Sequence, residues 1–252
     1  MIFYFSGTGN SQGIAEIVAK ALGDQAVDII GATPEDYHFT PDDYLGFSFP
    51  VYAYAAPEVM LEFASRLAPG GAFTFGICTF SNAAGRTMEH FSTILPLKAG
   101  YGVKMPDNYP VLERILETEE SAIQKLTAAA PRVEEIIQRL KQRGEGFDVL
   151  VGEDGENRSF NLSVQFNKNK RKTAPYWVDK DLCTSCGLCE SLCPAKAIEL
   201  KNGYPVWVKE DCYLCMACIN RCPSIAIEFG TYSKGRFRYY FKGFDTSVYF
   251  ND

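Results

Sequence analysis

Two cysteine runs with identical spacing constrain this chain more than any other feature. The first consists of Cys183, Cys186, Cys189 and Cys193, and the second of Cys212, Cys215, Cys218 and Cys222. In each run the fourth cysteine is followed by a proline, which ends any helix at that point. A tight loop can place three thiolates with this spacing around one inorganic core, while the fourth thiolate, beyond a turn, points to a neighbouring site. The repeat therefore predicts two linked metal sites that share their cysteines.

The spacing C-x2-C-x2-C-x3-C-P resembles that of bacterial ferredoxins, in which the fourth cysteine of each run binds the cluster of the other run. The resemblance implies two [4Fe-4S] clusters. One would be bound by Cys183, Cys186, Cys189 and Cys222, and the other by Cys212, Cys215, Cys218 and Cys193. The alternatives are paired zinc sites and disulfides. Zinc sites usually place their cysteine pairs further apart and accept histidine, so eight cysteines in two identical runs fit both alternatives poorly.

Composition limits the rest of the chain. Its 252 residues suffice for one large domain or two modest ones, and 46% hydrophobic and 22% charged residues are typical of a soluble globular protein. Residues 1–143 carry 11 Lys and Arg against 17 Asp and Glu, so nothing resembles the basic domain of a nucleic-acid-binding protein. We find no signal peptide and no apolar segment long enough to span a membrane. Thiolates reserved for iron predict a cytoplasmic protein, in keeping with an anaerobic host.

The first residues predict a strand, a glycine-rich turn and a helix. Residues 2–5 are apolar, and apolar residues recur at helical spacing from Ile14 to Leu22. This arrangement is typical of a phosphate site, because the amides at a helix N-terminus favour an anion. The turn lacks the lysine of a Walker A motif, and its glycines do not match the dinucleotide fingerprint. Its polar side chains, which favour a phosphate monoester, are those of Ser6, Thr8, Asn10 and Ser11.

The turn Ser6-Gly7-Thr8-Gly9-Asn10-Ser11 resembles the flavodoxin loop [ST]-x-T-G-N-[ST], which binds the phosphate of FMN. Further strands are predicted at residues 25–30, 44–49, 73–79 and 101–105. Helices are predicted at residues 57–67 and over 112–143, where Pro131 would break or kink the helix. The alternation predicts an α/β flavodoxin-like doubly wound parallel sheet of order 2-1-3-4-5 in residues 1–143.

In flavodoxins the loops after strands three and four flank the flavin ring. By resemblance, the ring site here would consist of Pro50, Val51, Tyr52, Ala53 and Tyr54 on one side and Thr79, Phe80, Asn82 and Gly85 on the other. The alternative for Tyr52 and Tyr54 is ordinary packing, and the alanines beside them leave one flavin face open. The run from Lys104 to Tyr109 follows strand five and could also reach the flavin. Cys78 is predicted to be a buried hydrophobic residue without chemistry.

The second half has three predicted parts. Residues 144–173 are predicted to be a linker with a local strand at 160–166. Its basic cluster, 168–172, is either solvated or docks an acidic carrier or the acidic first half. Residues 174–230 would form a small α+β bacterial ferredoxin-like domain. Residues 231–252 are an aromatic arm with a two-residue period, which would pack on the first half or form a homodimer contact.

The whole chain resembles the flavodoxin–ferredoxin fusion proteins of anaerobic bacteria and archaea, over residues 1–143 and 174–230. The resemblance implies FMN, two [4Fe-4S] clusters and electron transfer with an external redox partner protein, such as a ferredoxin or an oxidoreductase. The alternative is a flavin-dependent reductase of a small organic acceptor that receives electrons through the clusters, with Tyr109 or His90 as proton donor. No hydrolytic residue set and no nicotinamide site are evident, and we expect no nucleic-acid partner and no membrane span.

Overall fold

The N-terminal half is built on a parallel sheet. The computed structural model describes residues 1–111, 117–153, 155, 162, 165, 166 and 171–249. The six strands pair in the order β2-β1-β3-β4-β5-β6, and every pairing is parallel. They are β1 Ile2–Tyr4, β2 Ala26–Asp28, β3 Tyr44–Pro50, β4 Phe73–Phe80, β5 Ala99–Lys104 and β6 Gly146–Asp148. This order confirms the flavodoxin-like fold and adds one strand, β6, inside the segment predicted to be a linker.

Helices cover both faces of this sheet. They are α1 Asn10–Leu22, α2 Glu58–Ser65, α3 Thr87–Ile94 and α4 Glu119–Lys141, with a 3-10 turn at Pro34–Asp36. Side chains of α1 and α4 form one apolar core with the sheet, and the phenylalanine-rich second core includes residues of α2 and α3. Every residue of β4 is buried, because helices pack on both of its faces. None of the helices in the described ranges has the length and apolar character required to cross a lipid bilayer.

Helix α4 runs through Pro131 without interruption, so the predicted break there is wrong. Pro131 is exposed, and the one hydrogen bond that it removes lies on the solvent side of the helix. On the other side Leu126, Val133 and Ile137 are buried and hold the helix to the sheet. Residues 112–116 of the predicted helical region lie outside the described residues.

The C-terminal part repeats one unit after 29 residues, the interval from Cys183 to Cys212. Strand β7 (Tyr176–Val178) pairs with β10 (Ile227–Phe229), and β8 (Ile198–Lys201) pairs with β9 (Tyr204–Trp207), both antiparallel. The shift relates the paired residues Val178 and Ile227 to Trp207 and Ile198. It also relates the short helices α5 (Leu188–Ser191) and α6 (Ala217–Asn220). The small α+β domain is confirmed.

The linker and the arm are partly described. Of the strand predicted at 160–166, only Leu162, Gln165 and Phe166 are described, and none of them is in a strand. The described part of the arm forms no strand and ends in a 3-10 turn at Thr246–Tyr249. It packs on the core between α1 and α4 through Phe237, Tyr239, Phe241 and Phe244. The arm therefore covers the first half, as one of the two sequence alternatives proposed.

Candidate functional site

Two groups of four cysteines surround two separate cavities. One cavity is lined by Cys183, Cys186, Cys189 and Cys222, and the other by Cys193, Cys212, Cys215 and Cys218. The fourth cysteine of each run thus faces the cavity of the other run, in the grouping that the spacing predicted. All nine cysteines are free thiols. Within the described ranges, no three His, Cys, Asp or Glu side chains converge as a single metal ion would require, so the thiols surround a space rather than a point.

Left-handed backbone shapes both cysteine runs. Positive φ angles occur at three positions of each run, namely Ser185, Gly187 and Lys196 and, 29 residues later, Leu214, Met216 and Ile225. Five of these six residues are not glycine, so the fold retains a conformation that is unfavourable for them. Such turns direct amides at anionic atoms. The amides of Ala197, Leu214 and Ala226 donate to the Sγ atoms of Cys193, Cys212 and Cys222 at 3.2, 3.3 and 3.3 Å.

The second cysteine run lies directly against the N-terminal half. A Cβ atom on Gly7 would lie 2.0 Å from the carbonyl oxygen of Cys215, so only glycine allows this approach. The ring of Tyr213 meets that of Phe5 edge-on at 5.8 Å. Burial raises the pKa of the Cys215 thiol to about 12. In the first run, Cys186 is exposed.

A third cavity, of about 370 Å³, lies at the carboxyl ends of the parallel strands, where flavodoxin-like folds bind their ligands. Its lining includes most residues of the predicted FMN site, namely Ser6, Gly7, Thr8, Asn10, Ser11, Pro50, Val51, Tyr52, Ala53, Tyr54, Thr79 and Phe80. Three predicted residues lie elsewhere. Gly9 faces Phe241 of the arm, Asn82 is exposed, and the amide of Gly85 donates to the carbonyl of Val151 at 3.2 Å.

The glycine-rich turn uses its polar side chains in two ways. The Ser6 hydroxyl accepts a hydrogen bond from the Gly9 amide at 3.1 Å, and the Thr8 hydroxyl accepts one from Asn108, so both O–H groups can still donate. The Asn10 amide instead bonds Pro106 at 3.2 Å and Tyr239 at 2.8 Å. The Ser11 hydroxyl lies 2.9 Å from that of Thr79. The side chains of Asn10 and Ser11 therefore hold the turn in place, a role that the sequence did not predict.

Helix α1 begins at this turn without a side-chain cap. Its N-cap residue, Gly9, has a φ of 96°, and no acidic residue lies in the first turn. The first amides of a helix have no partner within the helix. Asn10 and Ser11, the first two helical residues, line the cavity, so this helix end can offer amide donors and a positive dipole to an anion there.

Tyr52 lies between this cavity and the second cysteine run. It opens a tight turn in which Ala53 and Tyr54 have φ angles of 48° and 65°, values that such turns usually reserve for Asn and Gly. Its ring lies 6.4 Å from that of Phe5 and 6.1 Å from that of Phe166. Its hydroxyl is buried and has no partner among the described residues, and burial raises its pKa well above the usual range. A buried hydroxyl that lines a cavity is available to a ligand.

Comparisons with known proteins agree with the cysteine geometry. Residues 182–227 match the family described as a 4Fe-4S dicluster domain. This part of the chain is a ferredoxin-type 4Fe-4S domain. Ferredoxin-1 of Rhodobacter capsulatus is 47% identical over 38 residues, which cover 15% of this chain and 58% of that protein. The chain thus spans less than two thirds of the length of this relative.

Two solved structures share a limited likeness with the chain. Rubredoxin oxygen:oxidoreductase from the anaerobe Desulfovibrio gigas is 12% identical, with a TM-score of 0.34 over 56% of this chain and 36% of that one. The Trp repressor binding protein from Bacillus subtilis is 13% identical, with a TM-score of 0.32 over 58% of this chain and all of that one. Scores this low add nothing to the fold described above.

Some cavity residues had no local sequence signal. Leu214 of the ferredoxin-type domain lines the cavity, as do Leu162 and Phe166 of the predicted linker. Their presence depends on how the two halves pack. The loop 105–109 also lines it, as its position after β5 suggested. Of the two proton-donor candidates, Tyr109 lines the cavity and burial raises its pKa to about 12, whereas His90 is exposed on α3.

Proposed function

We propose that the chain is an electron-transfer protein that moves electrons between an external redox partner protein, two [4Fe-4S] clusters and FMN. The outer cluster would be bound by Cys183, Cys186, Cys189 and Cys222, and the inner cluster by Cys193, Cys212, Cys215 and Cys218. FMN would occupy the cavity at the carboxyl ends of the strands. The proposed domains are residues 1–143 for FMN, 174–230 for the clusters, 144–173 as linker and 231–252 as arm.

One observation carries this proposal: the inner cysteine run and the FMN cavity share a wall. Cys215 contacts the glycine-rich turn at Gly7, and Leu214, its neighbour, lines the cavity. Leu214 is 1% exposed, so water is excluded from this wall. Because the two cofactor sites lie on one chain, exchange between them would be intramolecular and independent of protein concentration.

The cavity residues fit FMN. The Ser6 and Thr8 hydroxyls and the first amides of α1 supply donors for a phosphate, and the helix dipole adds to their attraction. The unpaired Tyr52 hydroxyl supplies a donor beside the aromatic wall. FMN supplies a chemistry that the clusters lack, since it accepts one or two electrons whereas each cluster transfers one at a time.

Exposure favours the outer run as the place where the partner protein docks. Cys186 is exposed, and the apolar residues beside this run, Leu182, Leu188 and Ile225, are between 36% and 50% exposed. The basic cluster of the linker has another role in its described part. Arg171 pairs with Glu58 of α2 at 2.8 Å, and Lys172 pairs with Asp211 at 2.9 Å. These contacts favour docking of the first half; residues 168–170 lie outside the described residues.

The test is anaerobic purification followed by a single-turnover measurement. We expect about eight irons and one FMN per chain, and bleaching of the flavin absorbance after photoreduction of the clusters. Absence of FMN after reconstitution, or a flavin that stays oxidised beside reduced clusters, would contradict the proposal.

The second candidate, a reductase of a small organic acceptor, is favoured by the position of Tyr109 in the cavity wall. It predicts sustained turnover of a quinone or an unsaturated compound when reduced ferredoxin is supplied. Tyr109→Phe should lower that turnover without changing the rate of flavin reduction. Lack of turnover across a broad panel of acceptors would exclude this candidate.

A further inference from the structure

A hydrogen-bonded chain connects the FMN cavity with a second, more open groove. The groove has a volume of about 550 Å³ and lies along α4, with Phe80 shared between it and the cavity. Lys125 lines the groove, and its Nζ atom donates to the Ser81 hydroxyl at 3.0 Å. Ser81 lines the FMN cavity. Two side chains therefore cross the wall between the groove and the cavity.

Asp107 extends this chain inside the cavity. It lines the cavity, and its carboxyl group is hydrogen-bonded to the Ser81 side chain. One of its oxygens, Oδ1, accepts from the Tyr109 amide at 2.7 Å, which fixes the orientation of the carboxyl group. The order from groove to cavity is thus Lys125, Ser81 and Asp107, each joined to the next by a hydrogen bond.

The charges around Asp107 favour its protonated form. Burial raises its pKa, the nearby Glu117 carboxylate raises it further, and the Lys125 ammonium group lowers it. Glu117 itself pairs with Lys125 at 2.6 Å and accepts from the Asp107 amide. Glu119 and Arg236 line an adjoining cavity that Asp107 also borders. Two carboxyl groups thus share one ammonium group, and uptake of one proton neutralises the set.

We propose that Lys125, Ser81 and Asp107 form a proton relay from the groove to the FMN cavity. This inference rests on the proposed function, in which the clusters supply the electrons and two-electron reduction of FMN consumes at least one proton. Lys125 gives a proton to the Ser81 oxygen while the Ser81 hydroxyl passes its own proton to Asp107. Lys125 then takes a proton from water in the groove, and the Asp107 carboxyl group donates to the ligand in the cavity.

The opposite wall of the cavity offers no comparable route. There Tyr52, Phe166 and Leu214 separate the cavity from the inner cysteine run. Electrons and protons would therefore reach the cavity from opposite sides. The relay also gives the Lys104–Tyr109 run a second role, since this loop carries Asp107 to the Ser81 hydroxyl.

The test uses the anaerobic holoprotein with photoreduced clusters. In the wild type, the rate of flavin reduction should fall as the pH rises through the raised pKa of Asp107, because the acid form is the donor. Asp107→Asn keeps the acceptor for the Tyr109 amide but removes the proton donor. It should slow the step roughly 10- to 100-fold, remove this pH dependence and be partly rescued by added formate. Ser81→Ala interrupts the chain without changing any charge and should slow the step as well.

Two equilibrium measurements separate a relay from a structural role. The Kd for FMN should stay within about twofold of the wild type in both variants, and the reduction-induced infrared spectrum should lose a carboxyl band in Asp107→Asn. Glu119→Gln, a matched control on α4, should behave as the wild type. Unchanged rates in both variants, or a slow rate with weak FMN binding and no rescue, would overturn the relay alone. A wild-type flavin that the clusters never reduce would instead contradict the proposed function.

Discussion

The two cysteine runs share one backbone but differ in what surrounds them. Cys186 is exposed, whereas its counterpart 29 residues later, Cys215, packs against Gly7 of the other half. Ser185 is exposed, and its counterpart Leu214 is 1% exposed in the wall of the FMN cavity. The left-handed angles at these positions are nearly equal, with φ of 57° and 48°. Spacing thus specifies the ligand geometry, while the side chains between the cysteines assign an outer and an inner role.

The sharpest test of this comparison replaces equivalent cysteines. Cys215→Ser should weaken FMN binding by about tenfold or more and prevent reduction of the flavin through the clusters, because Cys215 supports both the inner site and the Gly7 turn. Cys186→Ser should lose the outer cluster but keep the Kd for FMN within about twofold. Fluorescence titration with FMN and an iron count measure both effects. Equal losses of FMN affinity would show that the two runs support the cavity alike.

A second pair exchanges the residues between the cysteines. Leu214→Ser copies the first run into the second and should lower the free energy of unfolding by about 3 kcal/mol, because it removes a buried side chain and puts a hydroxyl in an apolar wall. Ser185→Leu makes the reverse change at an exposed position and should alter stability by less than about 0.5 kcal/mol. Both residues are left-handed, so backbone effects cancel. Denaturant unfolding of the reconstituted proteins gives the comparison; similar losses would contradict it.

The sequence predicted what depends on local signals. Strands β1, β3 and β4 were found within one or two residues because they are continuous apolar runs that end at glycine- or proline-containing turns. Strand β6 was missed because its three residues are largely exposed and carry no apolar pattern. Its pairing with β5 depends on the end of α4 returning to the sheet edge.

The candidate site divides in the same way. The residues of the glycine-rich turn were predicted from their own motif, but the partners of Asn10 lie 96 and 229 residues away along the chain. Leu214 reaches the cavity only because the ferredoxin-type domain packs on the Gly7 turn. Contacts of this kind leave no periodicity in either segment, so single-sequence reasoning could not anticipate them.

The smallest expected effect concerns the arm, which ties the inner run to the FMN cavity. The Tyr239 amide donates to Asn220 of α6 at 3.0 Å, and the Tyr239 hydroxyl donates to Asn10 at the start of α1 at 2.8 Å. Tyr239→Phe leaves the buried Asn10 oxygen without this donor and should cost about 1–2 kcal/mol of stability. The exposed Tyr232→Phe should cost less than about 0.5 kcal/mol.

The two tyrosine variants also separate the inner from the outer site. Because Asn10 holds the glycine-rich turn through Pro106, Tyr239→Phe should weaken FMN binding a few-fold while leaving iron release from the outer cysteines unchanged. Thermal unfolding, FMN titration and chelator-driven iron loss provide the three readouts. If Tyr239→Phe accelerated iron loss from both sites equally, the arm would stabilise the whole chain rather than the inner half, and the outer run would depend on the first half after all.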